Sequence, residues 1–114
     1  MQRTPDVNRG DVLRVVNREF PDDANEVLSI LENITCSLIG ADRLHLAHLK
    51  LSGGTLQKLR EGLTIPDSRD VVSCAEYPAH NELGSALLDK MSPDKVQEII
   101  DLDWQQYKTW LNAE

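Results

Sequence analysis

The sequence predicts an all-α fold: a compact orthogonal bundle of about six or seven short helices, forming one domain over residues 1–114. Three observations predict it. Apolar residues recur at intervals of three and four along most of the chain, which is the spacing of one helix face. Most Pro and Gly residues fall between these periodic segments. Hydrophobic residues make up 40% of the 114 residues, which is enough for one shared core at this length.

The first two helices are predicted over 9–19 and 22–35. Asn8 can cap the first one, Asp11 supplies a carboxylate in its first turn, and Pro21 ends it because proline cannot continue the hydrogen-bond ladder. The second has a helical apolar stripe at intervals of three and four residues. That stripe comprises Val27, Leu28, Ile30, Leu31 and Ile34.

A central helix is predicted over 41–52. Leucines at positions 44, 46, 49 and 51 surround most of its circumference. We therefore expect this helix to have neighbours on more than one side. The Gly53-Gly54 pair supplies its stop.

Three shorter helices are predicted over 55–63, 68–77 and 80–90. Pro66 separates the first two, and Pro78 separates the second from the third. Because short helices are marginal in isolation, these depend on packing against the rest of the chain.

The last helix is predicted over 93–111, since Ser92-Pro93 combines an N-cap with proline at the first helical position. At 100° per residue Asp103 falls within its apolar stripe, whereas Leu102 points away from it. An unpartnered buried carboxylate would cost several kcal/mol. We therefore expect Asp103 to accept hydrogen bonds from the N-terminus of another helix or from an arginine. Alternatively, Leu102 belongs to a partner surface with Gln105, Gln106 and Thr109.

The net charge of −7 disfavours nucleic acid and anionic membrane as partners. The acidity is concentrated in residues 71–114, where three basic and eight acidic residues give a net charge of −5. No stretch is long and apolar enough to span a bilayer, and no secretory leader is evident, so a cytoplasmic location is expected. Cys36 and Cys74 are isolated from each other and are expected to be buried thiols.

The polar groups around the predicted helix 68–77 are the best candidates for a binding site. Arg69, Asp70, Glu76 and Tyr77 can form a polar binding rim there. The competing interpretation is structural: Asp70 caps its helix, Arg69 pairs with an acidic neighbour, and Tyr77 packs with its hydroxyl at the rim.

A metal site is a weaker hypothesis. His45 and His48 lie three residues apart on one predicted helix and could share a face, but two such ligands need others from elsewhere. The competing interpretation has one histidine half-buried and the other on the surface. No motif for a cofactor is present, and none is expected.

The segments Leu46 to Arg60, Ser68-Arg69-Asp70-Val71 and Ala75-Glu76-Tyr77-Pro78 resemble a group of small uncharacterised bacterial proteins. That group shares a leucine-rich and alanine-rich helix, a glycine-containing turn and an Arg-Asp-Val…Ala-Glu-Tyr-Pro ending. The resemblance implies a compact helical fold and a bacterial origin. It assigns no activity and no catalytic residue.

The sequence favours a non-enzymatic cytoplasmic protein that acts by binding another protein, because no convergent catalytic set is evident. One alternative is an acidic, immunity-type inhibitor of a basic enzyme, guided to its target by charge. Another is a metal-dependent hydrolytic site around His45 and His48. The sequence leaves monomer and homodimer equally open.

Overall fold

The computed structural model describes residues 6–34, 40–65, 67–83, 87 and 89–113. Within these ranges it contains seven α-helices and no strand, which confirms the predicted all-α class. The helices are α1 (Arg9–Glu19), α2 (Ala24–Glu32), α3 (Ala41–Ser52), α4 (Leu56–Gly62), α5 (Ser68–Glu76), α6 (Pro78–Leu83) and α7 (Pro93–Asn112).

The helix ends follow local capping chemistry. Asn8 and Asp11 cap α1 reciprocally, each side chain accepting a 3.0 Å hydrogen bond from the backbone N–H of the other. Thr55, Asp67 and Ser92 cap α4, α5 and α7 with their side-chain oxygens. The N-cap of α5 is therefore Asp67, and Asp70 lies in the first turn of the helix.

Two predicted helices differ from the observed ones by two or more residues at an end, and the others differ by no more than one. The second spans Ala24–Glu32 rather than 22–35, because residues 21–23 form a turn and Asn33 is its C-cap. The sixth begins at Pro78 rather than at residue 80 and is described only as far as Leu83. Residues 84–86 and 88 of the predicted 80–90 helix lie outside the described part of the chain.

Helix α3 occupies the centre of the fold, as its leucines predict. One side of α3 packs into a large core cluster with α1, α2, α4 and α7, which includes Val12, Val16, Leu46, Leu49 and Tyr107. Its other side packs against α5 in a smaller cluster of Leu44, Ala47, Val71, Val72 and Ala75. Every residue of α3 from Leu44 to Leu49 is buried.

The end of α7 is docked onto α1. Arg14 Nη1 donates to the carbonyl oxygen of Leu111 at 2.6 Å, and Arg18 Nη1 donates to that of Ala113 at 2.7 Å. The Arg18 guanidinium also lies 5.4 Å from the centroid of the Trp110 ring. These contacts satisfy carbonyls that a helix C-terminus leaves without intrahelical partners.

Two burial predictions are wrong. The Cys74 thiol is exposed, because Val71, Val72 and Ala75 define the buried side of α5 and Cys74 lies on the other side. Leu87 is also exposed, although helical spacing in the predicted 80–90 helix places it on the expected buried side with Leu83. Cys36 lies outside the described residues. None of the described helices has the length and hydropathy needed to cross a membrane.

Candidate functional site

The four residues of the predicted binding rim lie at opposite ends of α5. Arg69 and Asp70 are exposed in its first turn, and Arg69 pairs with Asp67 at 3.4 Å. Glu76 is the last residue of α5, and Tyr77 follows it; both side chains are buried. At 1.5 Å per residue, about 10 Å separates the backbone of Arg69 from that of Glu76. The structure therefore brings the residues together only as two separate pairs.

The buried Glu76 forms an ion pair with the partly exposed Arg43 of α3. Arg43 Nε donates to Glu76 Oε2 at 2.8 Å, and Arg43 Nη2 donates to Oε1 at 2.7 Å. The Glu76 side chain is only 2% exposed. These hydrogen bonds raise the pKa of Arg43 above its ordinary value, in spite of the desolvation that opposes them. The ion pair therefore connects α3 to α5 and has a structural role.

The Tyr107 hydroxyl is buried and has no hydrogen-bond partner. Burial raises the pKa of Tyr107, and the nearby Glu76 carboxylate raises it further. Tyr107 therefore stays neutral through the physiological range. Its ring contacts that of Trp110, with centroids 5.7 Å apart.

Asp103 caps α6, which confirms one of the two partners predicted for it. Its Oδ1 accepts a hydrogen bond from the Ala79 N–H, and its Oδ2 accepts one from the His80 N–H, both at 3.0 Å. The side chain is 1% exposed. Because the first N–H groups of a helix lack intrahelical partners, the carboxylate both satisfies them and joins α6 to α7.

The burial of Glu76 and Asp103 changes the surface charge expected from the sequence. Two of the eight acidic residues of 71–114 are thus buried inside the fold, where Glu76 pairs with Arg43 and Asp103 accepts hydrogen bonds from helix N–H groups. The surface of this part of the chain is consequently less acidic than its composition predicts. The exposed carboxylates that remain on α7 belong to Asp94, Glu98 and Asp101.

His45 is buried and fully hydrogen-bonded. Its Nε2 lies 2.8 Å from the carbonyl oxygen of Ile34, so that nitrogen carries the proton and donates it. Its Nδ1 accepts from Arg9 Nη1 at 3.3 Å. Both ring nitrogens are therefore already in use, and neither offers a free lone pair to a metal ion.

His48 differs from His45 because its Nδ1 is buried without a hydrogen-bond partner. The side chain is 5% exposed. Burial lowers the pKa of His48, and the neighbouring His45 lowers it further, so the imidazole is neutral at pH 7. Among the described residues, no three His, Cys, Asp or Glu side chains lie close enough together to hold a metal ion.

A pocket of about 280 Å³ lies beside His48; we call it the His48 pocket. Five aliphatic side chains line it: Ile30, Ile34, Leu63, Ile65 and Val71. Asn33 and Ser68 complete its lining. The sequence alone does not predict this pocket, because its walls come from α2, α3, α5 and the loop after α4.

The outward side of α7 carries the second surface feature, which we call the Leu102 face. Glu98, Asp101, Leu102 and Gln105 line a shallow depression of about 430 Å³. Leu102 is 67% exposed, more than any other large hydrophobic residue in the described ranges. This position agrees with its predicted place opposite the apolar stripe.

A groove of about 410 Å³ lies next to the Leu102 face. The half-buried Trp104 lines it together with Val7, Asp11 and Lys108. The Lys108 ammonium lies 6.0 Å from the Trp104 ring centroid. Positions 101, 104, 105 and 108 are neighbours on the helix surface, so the groove borders the Asp101 and Gln105 side of the Leu102 face. Leu102 itself lies about 160° around the helix axis from Trp104.

No family model, curated protein or solved structure matches this chain. The resemblance to small bacterial helical proteins therefore stays a prediction, and function is inferred from geometry alone.

Proposed function

We propose that this chain is a non-enzymatic cytoplasmic protein that binds another protein through the Leu102 face of α7. The observation that carries the proposal is the 67% exposure of Leu102 on the longest helix described. A single exposed leucine is ordinary on a protein surface. On another side of the same helix the half-buried Trp104 lines a groove, and tryptophan is enriched among residues that dominate binding energy.

We propose further that the partner presents basic side chains to this face. Glu98 and Asp101 flank Leu102, and the whole chain carries a net charge of −7. Glu98 pairs with Lys95 at 3.6 Å, but both side chains are about two-thirds exposed, so the pair is weak and Glu98 stays accessible. Charge of this kind accelerates association with a basic partner.

An inhibitor of a basic enzyme is one specific form of this proposal. The metal-dependent alternative around His45 and His48 has less support, because both nitrogens of His45 are already hydrogen-bonded. Neither protein binding nor inhibition of an enzyme needs a cofactor.

The test compares two exposed leucines. Leu102→Ser and Leu13→Ser both replace a surface leucine, and Leu13 on α1 is the matched control. Partners are captured from the source cell with the wild-type chain and identified, and the purified partner is then titrated against each variant. We expect Leu102→Ser to weaken binding about tenfold or more, and Leu13→Ser to leave it unchanged.

Salt dependence tests the charge component in the same titration. We expect affinity for the identified partner to fall as the salt concentration rises. If both leucine variants bind equally well, the Leu102 face is not the contact surface. If the partner is acidic and its binding is indifferent to salt, the proposed basic partner is wrong. If the partner is an enzyme, its activity is measured with an equimolar amount of this chain. Loss of that activity is expected if the chain is an inhibitor.

A further inference from the structure

We propose that the partner contacts the Leu102 face with a basic α-helix that crosses α7 and places one apolar side chain against Leu102. This inference rests on the protein binding proposed above, and it specifies which kind of segment the partner presents.

The shape of the Leu102 face matches a contact between two helices. The residues that line its depression occupy positions i, i+3, i+4 and i+7 of α7: Glu98, Asp101, Leu102 and Gln105. In knobs-into-holes packing, four residues of one helix surround a hole that receives one side chain of the facing helix. Positions spaced in this way are neighbours on a helix surface. The Leu102 face is therefore one such hole, and all four of its residues belong to a single helix.

The side chain that enters the hole is apolar. Leu102 is 67% exposed, and apolar atoms supply most of the surface of the depression. The methylene groups of Glu98 and Gln105 can cover an apolar side chain while their polar ends remain in water. A leucine, isoleucine or methionine of the partner would remove this apolar surface from water, which is the main driving force of association.

The rim of the hole selects a basic helix. Glu98 forms only a weak, exposed ion pair with Lys95. Asp101 accepts a hydrogen bond from Gln97 Nε2 at 3.0 Å, and a neutral donor leaves the carboxylate charge in place. Lysine or arginine side chains one turn away from the inserted residue of the partner helix would face these two carboxylates. Complementary charge of this kind favours a basic helix over an acidic one.

The same charges disfavour a second copy of this chain as the occupant. A twofold contact at the Leu102 face would bring Glu98 and Asp101 of one copy close to the same residues of the other. Each chain also carries a net charge of −7. Because like charges across an interface oppose association, a basic partner fits this face better than a second copy does.

The apolar pattern does not extend along α7, so the partner helix crosses it. The positions seven residues before and after Leu102 are Lys95 and Thr109, and both are polar and exposed. A coiled coil needs apolar residues that recur through successive heptads. With one hole available, the partner helix meets α7 at an angle and contacts it over a short length.

An extended segment fits this face less well. The backbone N–H and C=O groups in the middle of α7 are paired within the helix, so they offer an extended chain no hydrogen bonds. Extended peptides are commonly held by backbone hydrogen bonds to the edge of a sheet. The described part of the chain contains no strand that could supply such an edge.

The experiment uses four alanine-based peptides of about 15 residues, which is long enough for a helix in water. The first has a central leucine, with two lysines one turn before it and two lysines one turn after it. In the others the leucine is replaced by alanine, the lysines by glutamates, or two alanines beside the leucine by prolines, which prevent the helix. Each peptide is titrated into the full chain, whose amides are followed by NMR.

We expect the first peptide to shift the amides of Asp101, Leu102 and Gln105 in a saturable way. One hole is far smaller than a standard interface, so half-saturation should occur at about 0.1–1 mM. The other three peptides should bind about fivefold more weakly or not at all, because each lacks the apolar side chain, the complementary charge or the helix.

Variants of the chain complete the test. Leu102→Ser should weaken binding of the first peptide about fivefold or more, and the control Leu13→Ser should leave it unchanged. Asp101→Lys should weaken binding of the lysine peptide and strengthen binding of the glutamate peptide. The inference is overturned if no peptide shifts these amides, or if the alanine or proline peptide binds as tightly as the first.

The peptides and the captured cellular partner together separate the two proposals. If Leu102→Ser loses the captured partner but no helical peptide binds, the Leu102 face is a contact surface and the crossing helix is wrong. If the first peptide binds as expected but the captured partner is indifferent to Leu102→Ser, the proposed function is wrong and the preference of this face for a basic helix stands.

Discussion

Arg43 and Glu76, 33 residues apart in sequence, form a two-point hydrogen-bonded ion pair across the interface between α3 and α5. Since α5 is only nine residues long, it depends on tertiary contacts to stay helical. The pair closes this interface beside the small core cluster of Leu44, Ala47 and Val71.

Removing one member of the pair should destabilise the fold strongly. In Arg43→Met the Glu76 carboxylate remains buried without its partner, and we expect the free energy of unfolding to fall by about 3 kcal/mol. The double variant Arg43→Met/Glu76→Leu should recover most of this loss, because no buried charge remains. Urea unfolding of the wild type, both single variants and the double variant measures the coupling. If the destabilisation of the double variant equals the sum of the two single destabilisations, Arg43 and Glu76 are not coupled.

Replacing Asp103 should loosen α6. Asp103→Asn keeps the size of the side chain but offers only one acceptor oxygen, so one of the Ala79 and His80 N–H groups loses its partner. We expect a loss of about 1–3 kcal/mol and faster hydrogen exchange at one or both of these amides. Asp101→Asn, on the exposed side of the same helix, is the control and should leave both exchange rates unchanged.

The Tyr107→Phe substitution should not destabilise the protein. The hydroxyl is buried without a partner, so its removal relieves a desolvation penalty while the ring still fills the core. We expect stability to stay constant or to rise by about 1 kcal/mol. A clear loss in urea unfolding would show that the hydroxyl has a hydrogen bond in solution, for example to water.

His48 should make the fold less stable at mildly acidic pH. The folded chain resists protonation of His48 because its pKa is lowered, whereas the unfolded chain takes up the proton near the ordinary pKa of 6.5. The unfolded state therefore binds more protons below that value, and stability falls as pH drops. Above the unfolded pKa His48 is neutral in both states, so this loss of stability is absent there.

Unfolding measurements at about pH 7.5 and about pH 5.5 would detect this effect. Other groups also titrate in this range, so the wild type is compared with His48→Leu at both values. We expect the wild type to lose more stability than the variant on acidification. An equal loss in the two proteins would show that His48 titrates alike in the folded and unfolded states.

Local signals in the sequence are sufficient to predict several helices and one buried polar residue. Asn8 and Pro21 define the ends of α1, and the leucines of α3 predict its central place. The interruption of the α7 stripe by Asp103 predicts a buried carboxylate with a partner. In each case the deciding residues lie within one helix, so periodicity and capping rules apply directly.

Pairings between helices could not be predicted in this way. Nothing near Glu76 in the sequence points to Arg43 as its partner, so the sequence predicts Glu76 in a binding rim instead. The His48 pocket likewise needs residues from several helices. The exposure of Cys74 could have been predicted from the sequence, because at 100° per residue Cys74 lies about 110° from the centre of the arc formed by Val71, Val72 and Ala75.

The joint core of α1 and α7 has a consequence for synthesis of the chain. Val12, Val15 and Val16 are buried against a cluster that contains Tyr107 and Leu111, and Arg14 binds the carbonyl oxygen of Leu111. The valines of the first helix therefore remain incompletely covered while the intervening segments leave the ribosome. The hydrophobic interior can close only after α7 has been translated, which makes an early stop in α7 a route to aggregation.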